Sequence, residues 1–382
     1  MTQLRDLLTP VKTKVHVDDP ENAKLVSVKL HGKGAVRRAL GEGKAPKPFV
    51  GTRASQGQFI FSRIWARRGA MAIIPQELDG VVVTNEFPVF DIDAEKLDAR
   101  YFHWLVQSSR FLEQLQALSA GASGQNRVKE SSFLSLDVAL PSLTEQRRIA
   151  SILDRADELR NRCNIIASDY AKLQSALVEN VSSAATANTR LGDLAEVSSG
   201  ITKGRKTAEA TRELPYLAVS NVQAGYLDMT LVKTIAATKK EIERYALRAG
   251  DVLMTEGGDP DKLGRGTVWR DELPLCLHQN HVFKVRVNDT NVLHPEFLGA
   301  YLGSRAAKDY FLRSAKQTTG IATINMTQLK NLPVPNLSNS DQLQFISQLD
   351  AIREQQKHNR IFAARLDSLF MALQSNAFSG RL

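Results

Sequence analysis

The sequence predicts an α+β protein built as two similar mixed domains and two long antiparallel helices, its second half restating its first. Three observations carry this. Two stretches of about 35 residues lack both Gly and Pro and space their apolar residues by three and four. An internal repeat keeps one register, with a single insertion, over roughly ninety residues. In each half, strand-like runs gather ahead of one shorter helix, as in segregated α+β domains and unlike alternating βαβ units.

The first long stretch runs from residue 141 to about 181, with no Gly or Pro after Pro141 until Gly192. Ile149, Ile152, Ala156, Leu159, Cys163, Ile166, Tyr170, Leu173 and Leu177 form a heptad-like seam, which calls for a second helix along it. Ser142-Leu-Thr-Glu145 has the form of a capping box, and Pro141 bars helix upstream. The second stretch, from about 341 to 374, offers Phe345, Leu349, Ile352, Phe362, Leu366, Leu369 and Leu373, with Gln355, Gln356 and Asn359 interrupting its middle. Each helix would span roughly 50 Å at about 1.5 Å per residue. Two equal seams in one chain most simply cover each other, and antiparallel pairing would relate the halves by a pseudo-twofold axis.

An offset of 195 pairs Asn85 with Asn280, Phe102 with Phe297, Ser109 with Ser304 and Arg110 with Arg305. After one inserted residue an offset of 196 pairs Gly124 with Gly320, Val128 with Ile324, Leu136 with Leu332, Gln146 with Gln342 and Leu153-Asp154 with Leu349-Asp350. Leu4-Arg-Asp-Leu7 faces Leu191-Gly-Asp-Leu194 more weakly. In the first domain, residues 58–64, 71–74 and 81–92 read as strands and 99–120 as a helix, followed by a polar Gly-rich loop at 121–127. The second repeats this with strands at 251–255, 266–269 and 275–287, a helix at 295–316 and a loop at 317–320. The expected organisation is a first domain at 1–140, a central helix at 141–182, a small polar joint at 183–190, a second domain at 191–337, and a last helix and tail at 338–382.

The 382 residues are 43% hydrophobic and 24% charged, a globular balance with room for two or three cores. No run approaches eighteen apolar residues, and Met1-Thr-Gln-Leu-Arg5 opens no signal peptide, so the expectation is a cytoplasmic protein with no membrane partner. Two cysteines, Cys163 and Cys276, are too few for a disulfide framework. Lys and Arg total 50 against 41 acids, a formal +9, which suits contact with nucleic acid.

Catalytic patterns are missing from the sequence. Gly41-Glu-Gly-Lys44 is followed by Ala45 and does not complete a phosphate loop. Gly264-Arg-Gly266 reads as a turn. His278 and His281 have no cysteine or carboxylate cluster to complete a metal set, and Asp91-Ile-Asp93 and Asp259-Pro-Asp261 read as strand-end and turn aspartates. No Asn-Pro-Pro-Tyr or Asp-Pro-Pro-Tyr run is present to hold a target amine. Basic residues instead gather in loops of both domains. The first offers Arg37, Arg38, Lys44, Lys47, Arg53, Arg63, Arg67 and Arg68; the second offers Lys203, Arg205, Lys206, Lys239, Lys240, Arg265 and Lys316, with Gln317 and Thr318 beside it. Such loops can lay cations on phosphates while amides and guanidiniums read base edges.

Leu140-Pro-Ser-Leu-Thr-Glu-Gln-Arg-Arg-Ile-Ala-Ser-Ile-Leu-Asp154 resembles the segment that opens the conserved helix of specificity subunits in type I restriction–modification enzymes. Its counterpart at 337–350 keeps Gln342 and Leu349-Asp350 but has Ser340-Asp341 where Glu is usual. Gly250-Asp-Val-Leu253, with Gly57-Gln-Phe-Ile60 as its first-half equivalent, and Pro215-Tyr-Leu-Ala-Val-Ser-Asn221 resemble strands of that family's recognition domains. The likeness covers the chain but is weak before about Gly57.

The resemblance implies two target-recognition domains separated by two antiparallel helices, each domain reading half of a bipartite site on double-stranded DNA. It implies two modification (methyltransferase) subunits as partners, which carry S-adenosylmethionine and methylate an adenine flipped from the duplex, and restriction subunits that join them. This chain would bind no cofactor or metal and hold no catalytic residue. Two other readings remain: a single-chain DNA-modifying enzyme with an unfamiliar active site, and a coiled-coil scaffold without a DNA role.

Overall fold

The computed structural model describes residues 1–38, 47–118, 127–205, 207–259, 263–318 and 321–382. The chain forms two compact units, Met1–Asn164 with Ile361–Leu382, and Ile165–Arg360. Each unit thus holds one mixed domain and part of each long helix.

The first unit contains an antiparallel sheet of β1 (Leu8–Pro10), β2 (Phe59–Phe61), β3 (Met71–Ile73) and β4 (Val89–Ile92), in the order β1-β4-β2-β3. The second contains β5 (Ala195–Ser199), β6 (Val252–Thr255), β7 (Gly266–Val268) and β8 (Val282–Val287), in the equivalent order β5-β8-β6-β7. Gly57 and Gly250 enter β2 and β6 at φ +82° and +88°, a left-handed turn that a side chain would strain. The weak match near the start of each half is structural too. Leu4 N donates to Leu136 O at 3.0 Å and Leu191 N to Leu332 O at 2.9 Å, so each domain's entry and exit are tied together.

Aromatic packing fills the first core. Phe61 stacks on Phe133 with ring centroids 4.5 Å apart, and Phe102 meets Phe59 edge-on at 4.8 Å. All four rings are fully buried, each contributing about 1.5–3 kcal/mol of transfer free energy. The second core substitutes Val252, Met254, Phe283, Val285 and Phe297.

Several expectations need correction. The helix expected at 99–120 is two helices, Ala99–Gln107 and Ser109–Ala117. Ser108 breaks it by capping the second with its hydroxyl, which accepts Phe111 N. Ser304 does the same between Pro295–Leu302 and Arg305–Ser314. Short polar side chains outcompete the helix at these points. The run at 81–92 is also two strands, Val81–Val83 and β4, which belong to different sheets. The repeat offset is 196 already at the helices, since Asp98 and His294 are equivalent N-caps, as are Ser108 and Ser304. One insertion therefore precedes Asp98, while β4 and β8 keep 195 and β2 and β6 stand at 193: Phe90 pairs Phe59 as Val285 pairs Val252.

The long helices run Leu143–Ser183 and Asn339–Ser379, 41 residues each and 196 apart at both ends. In the first unit they are antiparallel. Arg148 reaches Leu382 O at 3.1 Å, and Arg160 reaches Asp367 at 2.7 Å and covers the Phe370 ring at 4.4 Å. Leu153, Ala156, Phe370 and Phe378 join the first domain's core; Val178, Phe345 and Leu349 join the second's. Buried and half-buried positions trace a three-four alternation: 146, 149, 153, 156, 160, 163, then, past the exposed Ala167, 170, 174, 177 and 181 in the first helix, and 342, 345, 349, 352, 356, 359, 363, 366, 370, 373 and 377 in the second. This corrects part of the predicted seam. Ile166, Leu173, Phe362 and Leu369 are exposed, because Gln174 and Ala363 and Phe370 occupy the inward positions beside them. Gln174 bonds Gln356 at 3.0 Å, so the polar middle belongs to the seam and does not interrupt it. The capping box is also partial: Ser142 Oγ accepts Glu145 N, but the Glu145 carboxylate binds Arg148 through two 2.8 Å bonds.

Candidate nucleic-acid interface

In the first domain the polypeptide between β1 and β2, joined by the strand Val81–Val83 that follows β3, builds a second sheet. Strands Lys14–Val17, Phe49–Ala54 and Val81–Val83 form one antiparallel sheet, and Val26–Val28 pairs with Ala35–Arg37 as a hairpin. A bridge from Leu25 to Val82 joins the two. Arg53 lies opposite Val82 and Arg37 opposite Val26; both side chains are exposed, as are Lys47 and Arg68. Arg38 and Arg67 are half-buried, and Lys44 lies outside the described residues. Arg63 has a structural role. It donates to Glu130 at 2.9 Å and to Asn85 O at 2.9 Å, fastening the turn after β2 to the helix Glu130–Leu134.

In the second domain most of the guanidiniums are already engaged. Arg205 grips both oxygens of Glu241 and donates to Ala236 O at 2.7 Å. That carboxylate is held at about pKa 2, chiefly by the Arg205 hydrogen bond. It also completes a capping box with Thr238 at the start of Lys239–Tyr245. Arg205 is therefore committed to an ion pair within the fold. Arg265 donates to Gln223 at 2.9 Å and is half-buried. Lys203, Lys239 and Lys240 are exposed. Lys206 lies outside the described residues, as do the side chains of Lys316, Gln317 and Thr318; the backbone at 316–318 is a strand paired with Ile321–Thr323.

The motif residues turn inward. Asp251, fully buried, receives Arg286 through two 2.7 Å bonds and accepts Arg248 N at 2.8 Å. Asn221 ties its own loop by donating to Asp228 O and Leu231 O. His278 is fully buried; Nδ1 lies 2.7 Å from Val282 O, and burial depresses its pKa to about 4. It is a neutral core histidine whose Nδ1–H donates. Lys284 is buried with its ammonium on Arg244 O at 3.0 Å, and burial lowers its pKa.

Reasoning from the basic residues alone missed the aromatic partner among them. Trp65 is 46% exposed and Ile64 40% exposed, with the Arg68 guanidinium 5.6 Å over the indole. Tyr226, 56% exposed, closes a turn with Gln223 next to Arg265 in the second domain. Among the described residues, no group of three or more His, Cys, Asp or Glu could hold a metal ion, and no helix is long and apolar enough to cross a membrane.

A family profile for the type I restriction modification DNA specificity domain matches residues 49–166 and again 186–362. The EcoKI type I restriction enzyme specificity subunit of Escherichia coli K12 is 25% identical over 305 residues, 72% of this chain and 64% of its own length. The StySPI specificity subunit of Salmonella potsdam is 26% identical over 313 residues, 75% of this chain and 66% of its own. The chain thus spans just under two thirds of the length of these curated relatives. One solved chain, from work on complex assembly and conformational transition of the type I restriction–modification system, matches with TM-score 0.61 at 18% identity, covering 100% of this chain and 97% of that one. The type I S subunit from M. genitalium matches with TM-score 0.55 at 14% identity, covering 99% and 95%. At these identities the likeness is one of fold.

Proposed function

The chain belongs to the type I restriction–modification DNA specificity family, and from that premise we propose that it is the sequence-specificity subunit of such a complex. Each mixed domain reads one part of a bipartite site in double-stranded DNA. The long helices set the distance between the two readers and receive two modification subunits, and restriction subunits join the assembly. S-adenosylmethionine and methyl transfer to adenine belong to the modification subunits, and this chain carries no catalytic step. The complex works in the cytoplasm.

The observation that supports this best is the duplicated frame. The same four-stranded sheet, left-handed glycine entry and buried glutamine, Gln146 and Gln342, occur twice, each with a helix of 41 residues. Two readers on a stiff spacer bind a two-part site at high effective concentration only when the spacing matches.

The test lengthens the spacer. One heptad inserted after Ala167 and one after Ala363 preserves the seam and adds about 10 Å to each helix, or about three base pairs at 3.4 Å each. With its modification subunits in cells, the variant should methylate the same half-sites across a wider gap. An unchanged gap would refute the spacer role. Methylation by the purified chain alone would make it an enzyme, and failure to bind DNA at any salt would make it a scaffold.

A further inference from the structure

We infer that the first domain anchors the chain to duplex DNA through two joined tight turns, 30–34 and 64–69, with Trp65 as their apolar contact; this rests on the DNA-binding reading above. From Asn22 to Gln76 the sequence holds eleven Lys and Arg and a single acid, Glu42, whereas the whole chain carries only +9. The rest of residues 1–140 is the reverse, eight cations against fourteen acids. The first domain is therefore electrically polarised along its sequence. In the second, residues 191–337 carry nineteen cations and sixteen acids, interleaved, and Arg205, Arg265, Arg270, Lys284 and Arg286 are committed to internal partners.

The polarity has a local focus. His31 N donates to Arg68 O at 2.8 Å and Gly32 N to Gly69 O at 3.0 Å, locking the two turns side by side. His31 is held at φ +57° and Gly69 at +76°, so both turns are sharply bent. Lys33 and Arg68 are exposed on them, and Arg37 leaves the first turn along the adjoining strand. Trp65 and Ile64, on the second turn, are 46% and 40% exposed. An exposed indole stacked by a guanidinium and surrounded by cations, with no acid in either turn, matches the sugar–phosphate wall of a groove. The cations take phosphates and the ring takes apolar sugar and base edges.

The full chain should be titrated with duplex DNA carrying its methylation site across a range of salt. Lys33→Ala with Arg68→Ala should flatten the log–log salt dependence by about 1.8, near 0.9 for each phosphate no longer neutralised. Lys239→Ala with Lys240→Ala, the matched change in the second domain, should flatten it by less. Trp65→Ala should weaken binding by at least tenfold at every salt concentration with the slope kept, and Trp65→Phe should restore most of the loss. Thermal melts of each variant, expected to match wild type because these side chains are exposed, exclude unfolding. If wild type binds with a steep slope and the Lys33/Arg68 variant keeps it, the anchor is refuted while the DNA reading stands. A larger effect from the Lys239/Lys240 pair, or a preference for single strands over duplex, would also overturn the anchor. A wild-type chain with no affinity for DNA would remove the underlying reading instead.

Discussion

Gln146 is fully buried at the start of the central helix, and one substitution there tests how domain and helix are joined. Its Oε1 accepts Asp98 N at 2.8 Å, and its Nε2 donates to Lys96 O and Pro141 O, both at 2.9 Å. A single amide therefore links the N-cap of the domain's helix to the residues entering the long helix. Gln146→Met keeps the length of the side chain and removes all three bonds. The stranded Asp98 N–H alone costs about 1–3 kcal/mol in a site closed to water, and the two carbonyls bring the loss to about 2–4 kcal/mol. For a unit of this size that lowers the melting temperature by roughly 5–15 °C, at about 2–4 °C per kcal/mol. Gln342 makes the same three contacts in the other unit, accepting His294 N at 2.8 Å and donating to Val292 O at 2.9 Å and Leu337 O at 3.2 Å. Calorimetry with amide hydrogen exchange should show Gln146→Met loosening the first unit and Gln342→Met the second. A melt within 2 °C of wild type, by about the same scaling, would show that the amide is not the joint.

Three further outcomes follow from the geometry. Leu173→Asp with Leu369→Asp should leave the melting temperature nearly unchanged, since both side chains are half in water, whereas Leu153→Asp with Leu349→Asp should unfold the helices by burying charge without a partner; equal melts would refute the seam as drawn. His278 is held neutral with its pKa near 4, below the ordinary 6.5, so its contribution to stability is complete above pH 6.5 and declines as pH falls through 4. Denaturant titrations of His278→Asn, which keeps the donor to Val282 O, should lose that slope between the two values; a retained slope places the proton elsewhere. Arg205→Ala should destabilise the second domain by about 1–2 kcal/mol through loss of a half-buried charged hydrogen bond and leave the salt dependence of DNA binding unchanged; a flattened slope would return Arg205 to the interface.

The seam shows what was legible and what was not. Stepping by three and four from Gln146 passes through Cys163, Tyr170, Leu177 and Val181, and from Gln342 through Gln356, Asn359, Leu366 and Phe370. The register was present in the sequence, but stepping a whole heptad from Ile166 and from Phe362 leads one position off, to Leu173 in place of Gln174 and Leu369 in place of Phe370. Periodicity identifies the element, and a polar pair such as Gln174 with Gln356 identifies its inward face only once the partner helix is known. The ion pair of Arg205 was hidden in a similar way. Arg205 and Glu241 are far apart in sequence, and only the fold brings them together. Trp65 needed no partner to be found: it lies in a stretch with eleven cations and one acid, where an aromatic is hard to read as core.

The two domains share a frame and differ in what fills it. In the second, Asp251 at the start of β6 takes Arg286 on the neighbouring strand and Arg248 N three residues back. In the first, Gln58 at the same place donates to Asp91 at 2.8 Å, and its Oε1 accepts Ser55 N at 2.7 Å. Gln58 replaces the acid and Asp91 replaces the base, so a charged pair in one half becomes an amide–carboxylate bond in the other. The position demands a cross-strand partner and a turn acceptor, and either chemistry meets that demand. In the second domain the pair is turned inward, with Asp251 fully buried, whereas in the first Asp91 stays exposed. What differs most lies between the first two frame strands: residues 11–58 make a hairpin with one basic turn and two strands of a three-stranded sheet, while residues 200–251 make a long hairpin, strands Thr211–Leu217 and Lys233–Thr238, and a capped helix. Two unlike insertions on one repeated scaffold can present two unlike surfaces to two halves of a site, while the helices that follow stay equal in length.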